Sequence, residues 1–299
     1  MTRLPRRSRS PERLLAAAVV AAAVALAPSA AHAQACCVGT GLVTPARLRM
    51  FEDYAVGMQT SVRNVMGSFA SSGNYVASPS GDNEVDFEQD LLAATRFGRH
   101  VQIALKVPFV ETSRNDTGAS AFGGGLGDVA ANLRYDITFS GDDPWIPGVA
   151  ILTGVSVPTG RTVEESRDPA GATGLGSYEP NLGVALEQVR GRMFLSLTGF
   201  VSKQTARTVG GQEVSFGPRI TGILAGGYAF ANEVTVGAFV TAMRRSDEKL
   251  VTSGAAVAVP LGDYWRAQGT LSGDLPFSGW GLNRPTGAGI TASLLRVWL

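Results

Sequence analysis

From Val101 to Glu111 the sequence switches between apolar and polar residues one for one. Val101, Ile103, Leu105, Val107 and Phe109 fall on one face, and Gln102, Ala104 and Lys106 on the other. A period of two is the mark of a β-strand whose two faces meet different surroundings. The pattern recurs. In Asp128 to Thr138, Val129, Ala131, Leu133, Tyr135 and Ile137 alternate with Asp128, Asn132, Arg134, Asp136 and Thr138. In Arg192 to Lys203, Met193, Leu195, Leu197 and Val201 oppose Phe194, Ser196, Thr198, Phe200 and Ser202. Val234, Val236, Ala238 and Val240 do the same beside Thr235, Gly237, Phe239 and Thr241. No segment beyond the first thirty-odd residues sustains helical spacing.

Counting these segments predicts about twelve strands, over 52–69, 84–97, 99–112, 125–139, 147–158, 176–189, 191–204, 213–229, 231–244, 249–260, 263–274 and 285–299. Many exceed the mean soluble strand of about 5–6 residues and reach the roughly 9–11 residues of a tilted strand that crosses a bilayer. The connections point the same way. Ala70–Asn83, Ser113–Gly124, Thr159–Leu175, Thr205–Gln212 and Leu275–Arg284 are long, whereas those near Gly98-Arg99, Arg190-Gly191, Phe230-Ala231 and Leu261-Gly262 are short. Outer-membrane barrels have an even number of strands, short periplasmic turns and longer outer loops. Ser140 to Ile146, a seven-residue periplasmic turn by this parity, is the one irregular place. The expected fold class is therefore all-β: a transmembrane, antiparallel, up-and-down β-barrel of about 12 strands. A secreted soluble β-sandwich is the competing arrangement, but its core strands would be shorter.

Composition agrees. Charged residues make up only 17% of the 299 residues, hydrophobic ones 44%, and mean hydropathy is +0.10. This is sparse in charge for a soluble enzyme, which carries about 25%, yet too polar for a bundle of membrane helices. A net charge of +1 gives no nucleic-acid profile.

The N-terminus reads as an export signal. Arg3, Arg6, Arg7, Arg9 and Arg13 form a positive region, Leu14 to Ala27 is an unbroken apolar run, and Ala31-His32-Ala33 is a small-x-small cleavage site. The run is shorter than the roughly 20 residues of a membrane helix. The expected organisation is a cleaved signal over 1–33, an N-terminal segment over 34–51 that is a candidate plug, and a barrel over 52–299. Without the signal the chain carries 21 basic and 24 acidic residues. The expected location is the bacterial outer membrane. The expected partners are outer-membrane lipid, the barrel-assembly machinery during biogenesis and a small-molecule solute, with no nucleic acid.

In a closed barrel the apolar face meets lipid and the other lines the lumen. By alternation the lumen receives Asp86, Glu88, Asp90 and Arg96 from one strand. It receives Lys106, Asp128, Arg134 and Asp136 from the next two, and Arg63, Glu187, Arg219 and Arg266 from elsewhere. Both signs occur, as suits charges that hold the barrel by pairing or that tune a permeation path. Tyr54, Tyr75, Tyr135, Tyr178, Tyr228, Trp265, Trp280 and Trp298 lie mostly near predicted strand ends, where aromatic girdles sit.

Catalytic, cofactor and metal sites are not expected. Gly125-Leu126-Gly127-Asp128-Val129-Ala130 matches G-x-G-x-x-A but opens a strand, whereas a dinucleotide site needs it to open a helix. His100 is the one histidine after the signal and falls in a predicted periplasmic turn, and no G-x-S-x-G elbow occurs. Adjacent Cys36 and Cys37, in an oxidising compartment, are a candidate disulfide. Soft-metal binding, pairing between chains and lipidation of Cys36 stay open beside it.

Three stretches resemble one family: Gly125-Leu126-Gly127-Asp128-Val129-Ala130-Ala131-Asn132-Leu133-Arg134-Tyr135, Val157-Pro158-Thr159-Gly160, and Gly174-Leu175-Gly176-Ser177-Tyr178-Glu179-Pro180-Asn181-Leu182-Gly183. They are similar to the Gly-Leu-Gly-Asp, Pro-Thr-Gly and Gly-x-Gly-Ser-x-x-Pro segments of the "MetA-pathway of phenol degradation" outer-membrane proteins, which are transporter-like barrels. The resemblance covers mainly residues 120–190. It implies an outer-membrane channel for passive uptake of small, hydrophobic or aromatic solutes; a non-transporting structural or adhesive barrel is the alternative. The chain departs from the usual barrel ending, with Trp298 one place before the terminal Leu299.

Overall fold

The computed structural model describes residues 47–299 apart from 80–81, 117–118, 141–144, 167, 210–211, 247 and 278. The export signal, Cys36, Cys37 and most of the 34–51 segment lie outside the described residues. Sixteen strands follow in order: β1 (Tyr54–Phe69), β2 (Tyr75–Ala77), β3 (Asn83–Phe97), β4 (Val101–Asp116), β5 (Ala119–Leu126), β6 (Val129–Thr138), β7 (Gly148–Val157), β8 (Glu179–Arg190), β9 (Met193–Ser202), β10 (Arg207–Val209), β11 (Gln212–Val214), β12 (Arg219–Ala229), β13 (Thr235–Arg245), β14 (Glu248–Pro260), β15 (Trp265–Leu275) and β16 (Pro285–Trp298). Twelve of them form an antiparallel ring, β1-β3-β4-β6-β7-β8-β9-β12-β13-β14-β15-β16. The ring closes where β16 pairs with β1, from Tyr54 opposite Trp298 to Ser68 opposite Pro285. Closure pairs the backbone all the way round and leaves no sheet edge along the wall, the condition for strands to cross lipid.

The parity read from the sequence holds in the burial pattern. On β9, Met193, Leu195, Leu197 and Val201 are exposed, while Phe194, Ser196, Thr198 and Ser202 are buried. On β4, Ile103, Leu105 and Phe109 are exposed and Gln102 and Ala104 buried. The exposed face is the outer one, a band of Leu, Ile and Val matched to hydrocarbon. At its inner rim stand Tyr54, Tyr135, Tyr228, Trp265 and Trp298, all on the same parity as the band. Arg296 sets its guanidinium 5.0 Å from the Trp298 ring centre and 5.9 Å from that of Trp265. The aliphatic side chains thus give way to a belt that is part apolar and part polar.

The inner turns are tight. Gly98 and Gly191 adopt φ of 59° and 60°, which a residue with a Cβ rarely accepts. The outer side is uneven in a way the sequence reading did not anticipate. The Ser113–Gly124 stretch is mostly strand, because β4 runs on past the barrel wall and pairs with β5. Only 117–118 separate those two strands, and 246–247 alone join β13 to β14. Long outer connections remain at 70–82, 158–178, 203–218 and 276–284; the first contains β2 and the third the β10–β11 hairpin. β5 and β6 act as one strand broken at Gly127-Asp128, since both pair with β4. At the break the Gly127 N–H donates to the Pro108 carbonyl at 2.9 Å. A proline fits β4 there because the ladder is already interrupted.

Candidate functional site

The interior is the candidate site, and it is built in levels. At the inner mouth the chain entering β1 turns into the barrel. Leu48 is 3% exposed and packs with Ala55, Leu92, Ala94, Ala104, Leu295 and Val297. Its N–H donates to Gln102 Oε1 at 3.2 Å. Arg96 donates to the carbonyls of Leu48, Arg49 and Glu52 at 3.1, 2.9 and 3.2 Å. Arg266 reaches the Glu52 carboxylate at 3.2 Å and the Arg47 carbonyl at 3.1 Å. Arg47 pairs with Glu187, which Arg134 also meets at 3.2 Å while it holds Asp136 at 2.7 Å. Five of the sequence-nominated residues, Arg96, Arg134, Asp136, Glu187 and Arg266, therefore meet around one short peptide. Arg134, Asp136 and Arg266 are almost fully buried and Arg96 half-buried, so each needs a partner to offset its desolvation, and the entering peptide provides several.

At mid-height Lys106 pairs with Glu88 at 2.6 Å and lies 3.4 Å from Asp90. Gln59 donates to the other Asp90 oxygen at 3.1 Å. Toward the outer side, Thr112 donates to Asp86 at 3.0 Å and Arg114 pairs with Glu84 at 3.1 Å. Arg63 turns to Asp274 at 2.7 Å, whose second oxygen takes the Thr252 hydroxyl at 2.7 Å. A cavity of ≈ 420 Å³ opens beside them, lined by Arg63, Glu84, Leu250, Thr252, Asp274 and Arg284 among others. Arg219 pairs with Glu179, which also accepts from Ser202 at 2.5 Å and lies 3.7 Å from Arg245.

The opposite wall is of another kind. On the buried parity of β8 to β14, Phe194 stands opposite Gly227, Phe200 opposite Gly183 and Phe239 opposite Gly254. A Cβ at Gly254 would come 2.4 Å from the Phe239 ring, and one at Gly227 2.5 Å from that of Phe194. Gly227 and Gly254 are what let the Phe194 and Phe239 rings lie on the wall, while Gly183 makes room for the Phe200 Cβ.

Asp128 does a different job from the other nominated residues. Its carboxylate accepts the Gly160 N–H at 2.9 Å and the Leu175 N–H at 2.7 Å. Thr159 donates to the Gly127 carbonyl at 2.6 Å, and Thr173 to that of Leu126 at 2.7 Å. The three stretches that carry the family resemblance thus converge on one junction, which ties the 158–178 loop to the β5–β6 break. Nearby, Arg207 pairs with the exposed Glu164 at 3.3 Å. Glu164's own backbone amide, aided by Thr162 and Arg207, holds its carboxyl below the usual carboxylate range. His100 lies in the inner turn, Nδ1 2.5 Å from the Asp136 carbonyl. Among the described residues no three His, Cys, Asp or Glu side chains gather as metal ligands.

Sequence reasoning passed over Glu52, Glu179, Arg245, Asp274 and Gln102. Strand parity alone would have placed the last four on the inner face. Glu52 carried no such signal: as the first residue of the predicted 52–69 strand it shares the outward parity of Val56 and Met58, and it turns inward because β1 begins only at Tyr54.

No protein-family model and no curated protein matches the chain. Among solved structures it is similar to the COG4313 outer membrane channel from Pseudomonas putida F1. That match has a TM-score of 0.69 and 15% identity over 86% of this chain and 100% of the other. The translocator domain of the autotransporter NalP from Neisseria meningitidis follows at a TM-score of 0.50 and 12% identity, over 96% and 98%. At these identities the likeness is one of architecture, and with the apolar outer band it makes this chain a twelve-stranded barrel of the outer-membrane type.

Proposed function

We propose that the protein is an outer-membrane channel that passes small solutes by passive diffusion and catalyses no reaction. The observation that carries this reading is the ring itself: a closed wall, apolar outside, whose inner face holds charges and hydroxyls at every level. The architecture it shares with a COG4313 channel supports the same reading. Twelve strands lie between barrels of about 8, filled by side chains, and open porins of about 16–18, so the path is narrow. Asp86, Glu88, Asp90, Lys106 and Arg219 line that path, while Arg96, Arg134, Asp136 and Arg266 belong to its inner mouth. The resemblance to the MetA-pathway proteins adds hydrophobic or aromatic solutes as the class carried. The Phe194 and Phe239 rings laid on the wall, with Phe200 on the same inner parity, suit such bodies.

The 34–51 segment is the plug of this channel. Residues 47–52 support that role, since their carbonyls hold Arg96 and Arg266, the Leu48 N–H donates to Gln102, and the Arg47 side chain pairs with Glu187. On this reading the 47–52 peptide closes the inner mouth until it is released. Planar-bilayer recording of the purified full-length protein tests the proposal. Discrete conductance steps are expected, and they should lengthen when residues 34–50 are deleted. A folded, heat-modifiable barrel that stays silent in both forms would support the structural alternative, which the dense pairing of the inner charges favours.

A further inference from the structure

The inner face is electrically lopsided. Glu84, Asp86, Glu88 and Asp90 share the buried parity of β3 at every second residue. Arg114 answers Glu84 and Lys106 answers Glu88 and Asp90, but Arg63, directly opposite Asp86 on β1, turns away to Asp274. Among the described residues no cation pairs with Asp86. Asp90 is 1% exposed, and its Oδ1 accepts no hydrogen bond. The β3–β4 wall thus keeps an excess of negative charge along half the length of the lumen.

What faces this wall is uncharged. In a ring of twelve, β3 and β12 are six strands apart in either direction, so they look at each other across the barrel. The level can be traced too. Pairing carries Asp90 through Gln59, Ser293, Gln268, Ala258 and Thr235 to Ala229 at the inner end of β12. The other way round, the registers, extended past the strand ends, reach Ser215, four residues beyond Arg219 at its outer end. The stagger of a tilted barrel is shared between the two routes, so the point on β12 level with Asp90 lies around Ile223. Its neighbours on the inner face are Phe200, one pair outward beside Thr221, and Phe239, one pair inward beside Ala225. Between the rim residues Arg219 and Arg245 and the inner mouth, the inner faces of β9, β12, β13 and β14 hold no acid or base.

We infer that the lumen selects small organic cations with an aromatic or apolar body, the ammonium following the β3 carboxylates and the body sliding on the Phe200–Ile223–Phe239 wall. This rests on the channel reading and narrows its solute class. The path is narrow, so the carboxylates without a cation of their own act at a dielectric below that of bulk water, where charge discrimination is stronger. The ring faces add to it, since they attract cations and repel anions.

The test uses full-length protein in planar bilayers, with folding checked by heat-modifiable mobility. Under a KCl gradient the reversal potential should report cation preference. Benzyltrimethylammonium should permeate or block more strongly than tetramethylammonium, and benzoate least. The double variant Asp86→Asn with Glu88→Gln should lower the cation preference several-fold. Phe239→Ser should lower the preference for the benzyl over the tetramethyl cation. Conducting protein that prefers chloride, or takes benzoate as readily as benzyltrimethylammonium, overturns the inference and leaves the channel reading standing. A folded barrel that never conducts overturns the channel reading, and the inference falls with it.

Discussion

Arg266 Nη1 lies 3.2 and 3.3 Å from the two carboxylate oxygens of Glu52, a residue 214 positions earlier in the chain. This buried pair joins the peptide that enters the barrel to β15, one of the last strands to complete it. Glu52→Gln leaves Arg266 buried without its counter-charge. Breaking such a pair costs about 3 kcal/mol, which is roughly a hundredfold in an equilibrium constant. The expected outcome is a barrel that still folds but whose entering peptide is released more often. Single-channel recording at fixed voltage checks it: openings should be far more frequent than in the parent protein. An unaltered opening rate would mean that residues 47–52 do not close the path.

The outer face gives a prediction that depends on depth. Leu197 lies halfway along β9 and points outward, and Met193 points the same way at the strand's inner end. An arginine on the lipid face costs about 2–4 kcal/mol at the midplane and roughly 0–1 near the interface. Leu197→Arg should therefore lower barrel stability several-fold more than Met193→Arg. Urea unfolding in lipid vesicles measures both. Equal penalties would contradict a bilayer centred on Leu197.

Much of this architecture is legible in the sequence alone. Period-two alternation placed all twelve ring strands, and their parity sent Glu88, Asp90, Lys106 and Arg134 to the buried side. Alternation fixes a side chain's face but says nothing about its neighbour on the next strand. That Arg63 prefers Asp274 to Asp86, or that Phe239 lies on Gly254, depends on register, which is set by turns and bulges along the whole ring. The continuation of β4 and β5 beyond the wall imitates a loop in sequence, through its glycines and short polar residues. Gly123 and Gly124 are instead strand residues, the first approached closely by Ala170 and Gly171 of the 158–178 loop and the second by Val110 and Glu111 of β4. The motif Gly127-Asp128 was conspicuous in sequence, but its role as the knot of an outer loop needed the partners at Gly160 and Leu175.

That knot has its own consequence. Asp128→Ala removes the acceptor of two backbone N–H groups, and the 158–178 loop loses its tie to the β5–β6 break. Each such bond to a charged group is worth about 1.5–3 kcal/mol. The barrel, whose strands do not depend on the loop, should keep its heat-modifiable mobility. Trypsin added from the outer side should cut at Arg161 faster in the variant than in the parent. Protection equal to that of the parent would show that Thr159 and Thr173 hold the loop without Asp128.

The aromatic wall can be tested from the glycine side. A Cβ at Gly254 would meet the Phe239 ring at 2.4 Å and the Leu271 carbonyl oxygen at 2.3 Å. Gly254→Ala must therefore lift the ring and push β15 outward. Overpacking of this kind costs about 1–3 kcal/mol. Adding Phe239→Ala removes the first clash but not the second. The two changes touch, so they should not add: the double variant should be less destabilised than the sum of the singles, by the share of the strain that came from the ring. Unfolding midpoints of the four proteins in lipid vesicles close this cycle. Strict additivity would mean that the ring does not lie on Gly254, and that the wall facing β3 is less flat than the register between β13 and β14 requires.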